Sequence, residues 1–277
     1  MTFAAGSLWV VDDDGLVRLD ATGRVVAILH GVRGMLAGDD RSIWAVTPSG
    51  QFRRVDPHTN SIADAFSLPL HGREITDVAI GGGRVWAVEE SPPSPKDTWL
   101  LEVDPASGRI VFAAQPTCAG ASECVVTDLA ADSSAAYAAF VRNGKSGVFR
   151  LGVDGTVATG TPTQDAERGL SLARAAGGLW GAGVGVDRFD PATLRTLAHR
   201  FIPGIEPPDQ VEVAASAGSV WVLVEEGPLF QLDPSTLRVL NRVDSPPGLS
   251  GLAGTPDGVW LIAGDRLVGF RDLIPAE

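Results

Sequence analysis

The chain has 277 residues, 44% of them hydrophobic, with 33 Gly and 19 Pro. That is enough apolar material for one large core or two small ones and excludes global disorder. No apolar run approaches the roughly 20 residues of a membrane-crossing helix, and Met1 to Gly6 lacks a basic signal-peptide start, so no membrane insertion is expected within this chain. The formal net charge of −12 opposes docking on phosphate backbones, and nucleic acid is not an expected partner.

In chain order the first recognisable element is an apolar strand, Leu8 to Val11, that begins in Gly6-Ser7-Leu8-Trp9. The same ending recurs in Arg41-Ser42-Ile43-Trp44, Gly83-Arg84-Val85-Trp86, Gly177-Gly178-Leu179-Trp180, Gly218-Ser219-Val220-Trp221 and Asp257-Gly258-Val259-Trp260. Ser134-Ala135-Ala136-Tyr137 fills the one gap, so successive aromatics stand 35, 42, 51, 43, 41 and 39 residues apart. Periods near 40 residues indicate a repeat architecture. Trp99 alone falls outside the register, in the strand-like run Thr98 to Val103.

A second strand follows each aromatic strand and closes on an Asp turn, as in Arg54-Val55-Asp56-Pro57, Glu102-Val103-Asp104-Pro105, Arg188-Phe189-Asp190-Pro191 and Gln231-Leu232-Asp233-Pro234. Pro presets the turn and Asp bonds the amides ahead of it. The first unit carries Asp20-Ala21-Thr22-Gly23 there, and the fourth Asp154-Gly155-Thr156. A last strand leads out, as in Arg24 to Leu29, Ser61 to Phe66, Arg109 to Ala114 and Leu237 to Val243. Adding the strand ahead of each aromatic, such as Asp77 to Ile80 or Glu212 to Ala215, gives four antiparallel strands per unit.

The pattern predicts an all-β fold: one seven-bladed β-propeller domain spanning 1–277, in units of about 1–31, 32–73, 74–122, 123–167, 168–207, 208–247 and 248–277. The last unit lacks its outer strand and the first lacks its front, so an incomplete seam blade is expected. The two missing pieces would be consecutive residues upstream of Met1, which suggests a piece of a longer chain; the alternative is that Leu273-Ile274-Pro275 covers the seam.

The repeat Gly-x-Leu/Val-Trp, followed by Val/Leu-Asp-Pro-x-Thr, resembles the YVTN-type propellers and, among them, the virginiamycin B lyase (streptogramin lyase) group. The resemblance spans the whole chain. It implies the propeller fold and, for the lyase members, a His-Glu-His set holding a divalent metal near the mouth of the ring. That set has no counterpart among the four histidines. His58 sits in an Asp-Pro turn, His30 and His199 on outer strands, and only His71 in a connection expected at the mouth. No catalytic residue carries over.

Chemistry is therefore sought in the residues expected over the central channel. Nine positions before the aromatics stand Met35, Asp77, Asp128, Ser171, Glu212 and Gly251. The carboxylates Asp77, Asp128 and Glu212 are candidates for a calcium or magnesium ion, or a cationic ligand. The alternative is acids bonded to neighbouring amides or threonines, with no ligand. Further acids follow the aromatic strands, Asp12, Asp13, Asp14, Glu89, Glu90, Glu225, Glu226 and Asp265, facing Arg33, Arg73, Arg142 and Arg168 on nearby loops. Glu89, Arg33, Arg73, Arg168 and His71 are the rim candidates for a small polar ligand or a protein partner.

Cys118 and Cys124, six apart, are close enough in sequence to bridge, and a bridge implies an oxidising compartment; a reduced pair is the alternative. The run Ser91-Pro92-Pro93-Ser94-Pro95-Lys96 predicts a stiff protrusion in the third unit. No phosphate-binding Gly loop, Gly-x-Ser-x-Gly elbow or Cys/His metal spacing is present. The first functional expectation is a non-catalytic binding or sensing module, with no required cofactor, extracytoplasmic or secreted within a longer protein; the cytoplasm is left open. The alternative is a divalent-metal lyase or hydrolase of the streptogramin-lyase type that uses Asp77, Asp128, Glu212, Glu89 and His71.

Overall fold

A computed structural model describes residues 1–91, 98–115, 124–161, 169–175, 178–203, 205, 210–225, 227–244, 249–264 and 266–272. It is all-β, with seven antiparallel sheets arranged as the blades of a β-propeller. The chain divides into two compact units: Met1–Cys118 with Ala131–Ala136 and Leu151–Thr156, and Ala119–Ala130 with Tyr137–Arg150 and Val157–Glu277.

The first unit holds three complete sheets. Blade one is β1 (Thr2–Ala4), β2 (Ser7–Val11), β3 (Gly15–Leu19) and β4 (Val25–His30). Blade two is β5 (Met35–Gly38), β6 (Ile43–Val46), β7 (Gln51–Asp56) and β8 (Ser61–Ser67); blade three is β9 (Glu74–Gly81), β10 (Arg84–Glu90), β11 (Trp99–Asp104) and β12 (Arg109–Ala114). Trp9, Ile43, Ala45 and Val55 share one buried cluster, and Trp44, Phe52, Val78, Val85 and Leu101 another. Each cluster draws on two successive blades, so the sheets pack face to face, and the aromatic strands are buried on both faces as their unbroken apolar runs require.

Blade four is β13 (Cys124–Ala131), β14 (Ala135–Arg142), β15 (Lys145–Gly152) and β16 (Val157–Gly160). The second unit then carries blade five, β17 (Ser171–Ala175), β18 (Gly178–Ala182), β19 (Gly185–Phe189) and β20 (Thr196–Phe201). Blade six is β21 (Val211–Ala215), β22 (Val220–Val224), β23 (Leu229–Leu232) and β24 (Val239–Val243). Among the described residues blade seven has three strands, β25 (Leu249–Thr255), β26 (Gly258–Ala263) and β27 (Arg266–Arg271), in keeping with the short last repeat. Trp180, Val213, Val222 and Phe230 join blades five and six, and Trp221, Leu223, Val259 and Leu261 join six and seven.

The Asp turns are built as their residues dictate, with one correction. In four of them the amide four residues after the Asp donates to the Asp carbonyl: Asn60 at 2.9 Å, Gly108 at 2.9 Å, Leu194 at 2.8 Å and Leu237 at 2.8 Å. Each of these residues has a positive φ, between 52° and 65°. Leu237, expected to open the outgoing strand, is therefore the left-handed end of the turn, and β24 begins at Val239. The cost of a left-handed leucine is offset by complete burial of its side chain in the core between blades five and six.

Candidate functional site

Asp77 on β9 and Asp128 on β13 begin with the same local geometry: each Oδ1 accepts the amide of the next residue, Val78 at 2.7 Å and Leu129 at 2.8 Å. In the second unit the register becomes a relay between blades. Asp128 Oδ2 accepts the Ser171 hydroxyl at 2.8 Å and the Leu172 amide at 2.7 Å. Ser171 Oγ accepts the Val213 amide at 3.1 Å, and Glu212 Oε1 accepts the Gly251 amide at 3.2 Å. Thr127 donates to the Leu170 carbonyl at 3.0 Å. First strands four to seven are thus tied in sequence by side chains at one level.

Burial pushes the Asp128 carboxyl up to about 6; its three hydrogen bonds oppose the shift, and the nearby Glu212 charge adds to it. A carboxylate has about four acceptor positions, and three are filled here by protein donors. Among the described residues no group of three or more His, Cys, Asp or Glu is placed to hold a metal ion.

Two rim candidates of the first unit, Arg73 and Glu89, meet. Arg73 Nη1 donates to Glu89 Oε2 at 3.1 Å, and its guanidinium carbon lies 5.9 Å from the centroid of Trp99. Trp99 and Glu89 are direct cross-strand partners on β11 and β10, which places ring and carboxylate side by side. Glu89 is nearly buried while the Arg73 side chain keeps 30% of its surface in water. Trp99, the tryptophan outside the repeat, is therefore part of a charged aromatic surface. Its irregular position in sequence was the one available signal.

His71 makes no hydrogen bond to this group among the described residues. It is exposed and occupies a tight turn in which Arg73 N donates to Leu70 O at 3.0 Å, with φ of 52° at His71 and 88° at Gly72. Both central residues having positive φ defines a type I′ turn, and this turn delivers Arg73 to Glu89. Arg33 is exposed and donates to the Asp13 carbonyl. His199 Nδ1 lies 3.0 Å from Asp187, whose side chain is fully buried. Arg168, the segment 92–97 and Cys118 lie outside the described residues. Cys124 is buried at the start of β13 and is no free thiol.

One set of polar residues escapes a reading focused on the aromatics. Directly across the second and third strands, Trp9 faces Arg18, Trp44 faces Arg54, Trp86 faces Glu102, Trp180 faces Arg188 and Trp221 faces Gln231. Arg18 lies over the Trp9 ring at 5.2 Å and donates to Ser7 at 2.9 Å and Asn60 at 2.8 Å. Gln231 donates to Ser219 at 2.7 Å, and Arg84 meets the buried Glu102 at 3.2 Å. The legible signal is a polar residue two places ahead of each turn Asp in these blades. These residues serve the blade.

No protein-family model matches the sequence, and no curated protein matches it significantly. Solved structures match in fold. The RRP9 WD40 repeats superpose with a TM-score of 0.71 at 12% identity, over 94% of this chain and 84% of that one. KlAtg21, solved in complex with the coiled coil of AgAtg16, gives 0.69 at 9% identity over 97% and 91%. The dihydro-heme d1 dehydrogenase NirN gives 0.63 at 13% identity, over 96% of this chain and 61% of that chain. At these identities the likeness establishes the β-propeller class, which hosts binding proteins and enzymes alike.

Proposed function

We propose that this protein is a non-catalytic binding module of YVTN-like repeat type, and that it engages a protein partner through the Arg73, Glu89 and Trp99 surface. The observation that carries this reading is the guanidinium of Arg73, fixed between a nearly buried carboxylate and a tryptophan ring yet still partly in water. Arg and Trp prevail among the residues that dominate protein interfaces, because each offers a large apolar area with a polar edge. A pre-positioned arginine also loses little side-chain entropy on binding.

Two further points support a module over a metal lyase. The Asp128 and Glu212 carboxylates accept backbone amides of neighbouring blades, which explains acids at this level without an ion. KlAtg21 was solved with a coiled coil bound, so a propeller of this class can present itself to a polypeptide. A bridge between Cys118 and Cys124 would call for an oxidising, extracytoplasmic setting, and a reduced pair would fit the cytoplasm.

The test pairs two measurements. Crosslinking in the native setting is expected to trap a protein with the wild-type chain and to lose it with Trp99→Ala or Arg73→Glu. Calorimetric titration of metal-stripped protein with calcium and magnesium is expected to show no saturable heat. Saturable binding that disappears in the Asp77→Asn, Asp128→Asn, Glu212→Gln variant overturns the reading in favour of the metal-dependent lyase or hydrolase.

A further inference from the structure

A cleft of about 150 Å³ opens between blades two and three, where the turn joining β5 to β6 meets the start of β10 and the turn that follows β11. Arg41, Arg54, Arg84 and Asp39 form its charged wall, and Ile80 and Pro105 a half-buried apolar one. Arg84 opens β10 and Glu89 stands near the other end of that strand, so the cleft lies about 17 Å along the strand from the Arg73 surface and does not depend on it. The hydrogen bonds of the charged wall leave a definite set of groups open. Asp39 Oδ1 accepts the Arg41 and Ser42 amides, each at 2.8 Å, and the Ser42 hydroxyl at 3.3 Å. All three donors reach the same oxygen, and among the described residues nothing bonds Oδ2. Arg54 gives Nη2 to Asp64, and Arg84 gives Nε to Glu102 at 3.2 Å. Arg41 is exposed, and its guanidinium has no partner among the described residues.

The cleft thus joins an excess of guanidinium N–H groups to one open carboxylate oxygen. A guanidinium fork matches a carboxylate, and a carboxylate oxygen accepts from an ammonium. Each sign rules against a class of ligand. The Asp39 charge repels a phosphate group, which carries about two negative charges at neutral pH. A simple carboxylate leaves Asp39 Oδ2 facing a second acid, and a simple amine leaves the Arg41 fork unmatched. Size sets a further limit, because the cleft is well below the roughly 300 Å³ at which drug-sized ligands are held. We propose that the cleft binds a small apolar α-amino acid, its carboxylate on the Arg41 guanidinium, its ammonium on Asp39 Oδ2 and its side chain against Ile80 and Pro105. The turn that carries Asp39 is fixed by its own three hydrogen bonds, so the acceptor is in place before a ligand arrives.

The probes are L-valine, 3-methylbutanoate, which is valine without its ammonium, and L-valinamide, which is valine without its carboxylate, each titrated into the full chain and followed by calorimetry. Saturable heat is expected with valine. Binding of 3-methylbutanoate, valinamide and inorganic phosphate is expected to be at least tenfold weaker, because each leaves one charged group of the cleft unmatched. Arg41→Gln and Asp39→Asn are each expected to weaken valine binding at least tenfold. Both substitutions leave the fold intact: Arg41 is exposed, and asparagine keeps the Oδ1 acceptor that holds the turn; an unchanged melting temperature verifies this. No saturable heat with valine overturns the proposal. So does 3-methylbutanoate, valinamide or phosphate binding as tightly as valine, and so does valine binding indifferent to both substitutions. None of these outcomes bears on the Arg73 surface, which is tested by crosslinking at the other end of β10.

Discussion

The Ser171 hydroxyl donates to Asp128 at 2.8 Å and accepts the Val213 amide at 3.1 Å, so one small side chain joins residues more than forty positions away on either side of it. Removing it in Ser171→Ala breaks both links and strips the half-buried Asp128 of one donor. A loss of about 1–3 kcal/mol in urea unfolding is expected. An unchanged midpoint would show that the relay is ornamental.

Asp128 also sets a pH dependence. Its native pKa of about 6 lies above the 3.8 of the free side chain, so the folded state binds the proton more tightly than the unfolded one. Its contribution is greatest below about pH 4, declines between about pH 4 and 6, and is lost above that. Two units correspond to about 3 kcal/mol. Stability measured from pH 4 to 7 should therefore fall less in Asp128→Asn than in the wild type, and parallel curves would refute the assignment.

The turn carboxylates act in the opposite sense. Hydrogen bonds from the Ser235 hydroxyl and the Thr236 amide hold Asp233 down at about 2, and Asp20, Asp56, Asp104 and Asp190 are lowered by comparable contacts. A depressed carboxylate stabilises above the unfolded value near 4, and this is lost as the pH falls towards 2. Asp233→Ala should thus lower stability at pH 5 and flatten the acid limb of the melting curve. Equal losses at pH 5 and pH 2 would contradict this.

Glu102 is almost wholly inside blade three and is raised by burial, with Arg84 at 3.2 Å opposing the shift. Arg84→Met leaves a buried carboxylate unpaired and is expected to cost about 3 kcal/mol. Adding Glu102→Leu should recover most of that loss, since well-packed apolar pairs replace buried ion pairs at little cost. A double-mutant cycle without coupling would show that the two side chains act independently.

A Cβ on Gly254 would stand 2.3 Å from the carbonyl oxygen of Ala215 in the first strand of the preceding blade. Gly254→Val should destabilise by about 1–3 kcal/mol through overpacking, read in a thermal melt. A neutral result would mean that the first strands yield more readily than their packing implies.

Cysteine chemistry is checked directly. Denatured, unreduced protein from its native compartment is expected to show no thiol titratable by Ellman's reagent. Two free thiols would remove both the bridge and the extracytoplasmic assignment.

What the sequence determined is whatever repeats. Six tryptophans and one tyrosine in register, each in a run apolar enough for burial on two faces, specify four-stranded units that must stack on their neighbours. Asp-Pro marks the turns because each turn Asp accepts the amide two places ahead of it, a contact set by local spacing alone. Leu237 misleads a strand reading because its left-handed backbone is sustained by core packing, which is a tertiary effect.

Tertiary structure decided which polar residues serve the fold and which face outward. In sequence Asp128 and Glu212 read either as ion ligands or as acceptors of neighbouring amides, and their actual partners, Leu172 and Gly251, are about forty residues away and approach only when blades pack. Arg73, Glu89 and Trp99 show no shared motif, and they meet because a type I′ turn and a cross-strand pair deliver them to one place. Local sequence encodes period and turn chemistry, whereas contacts between blades depend on register and packing summed over the whole chain.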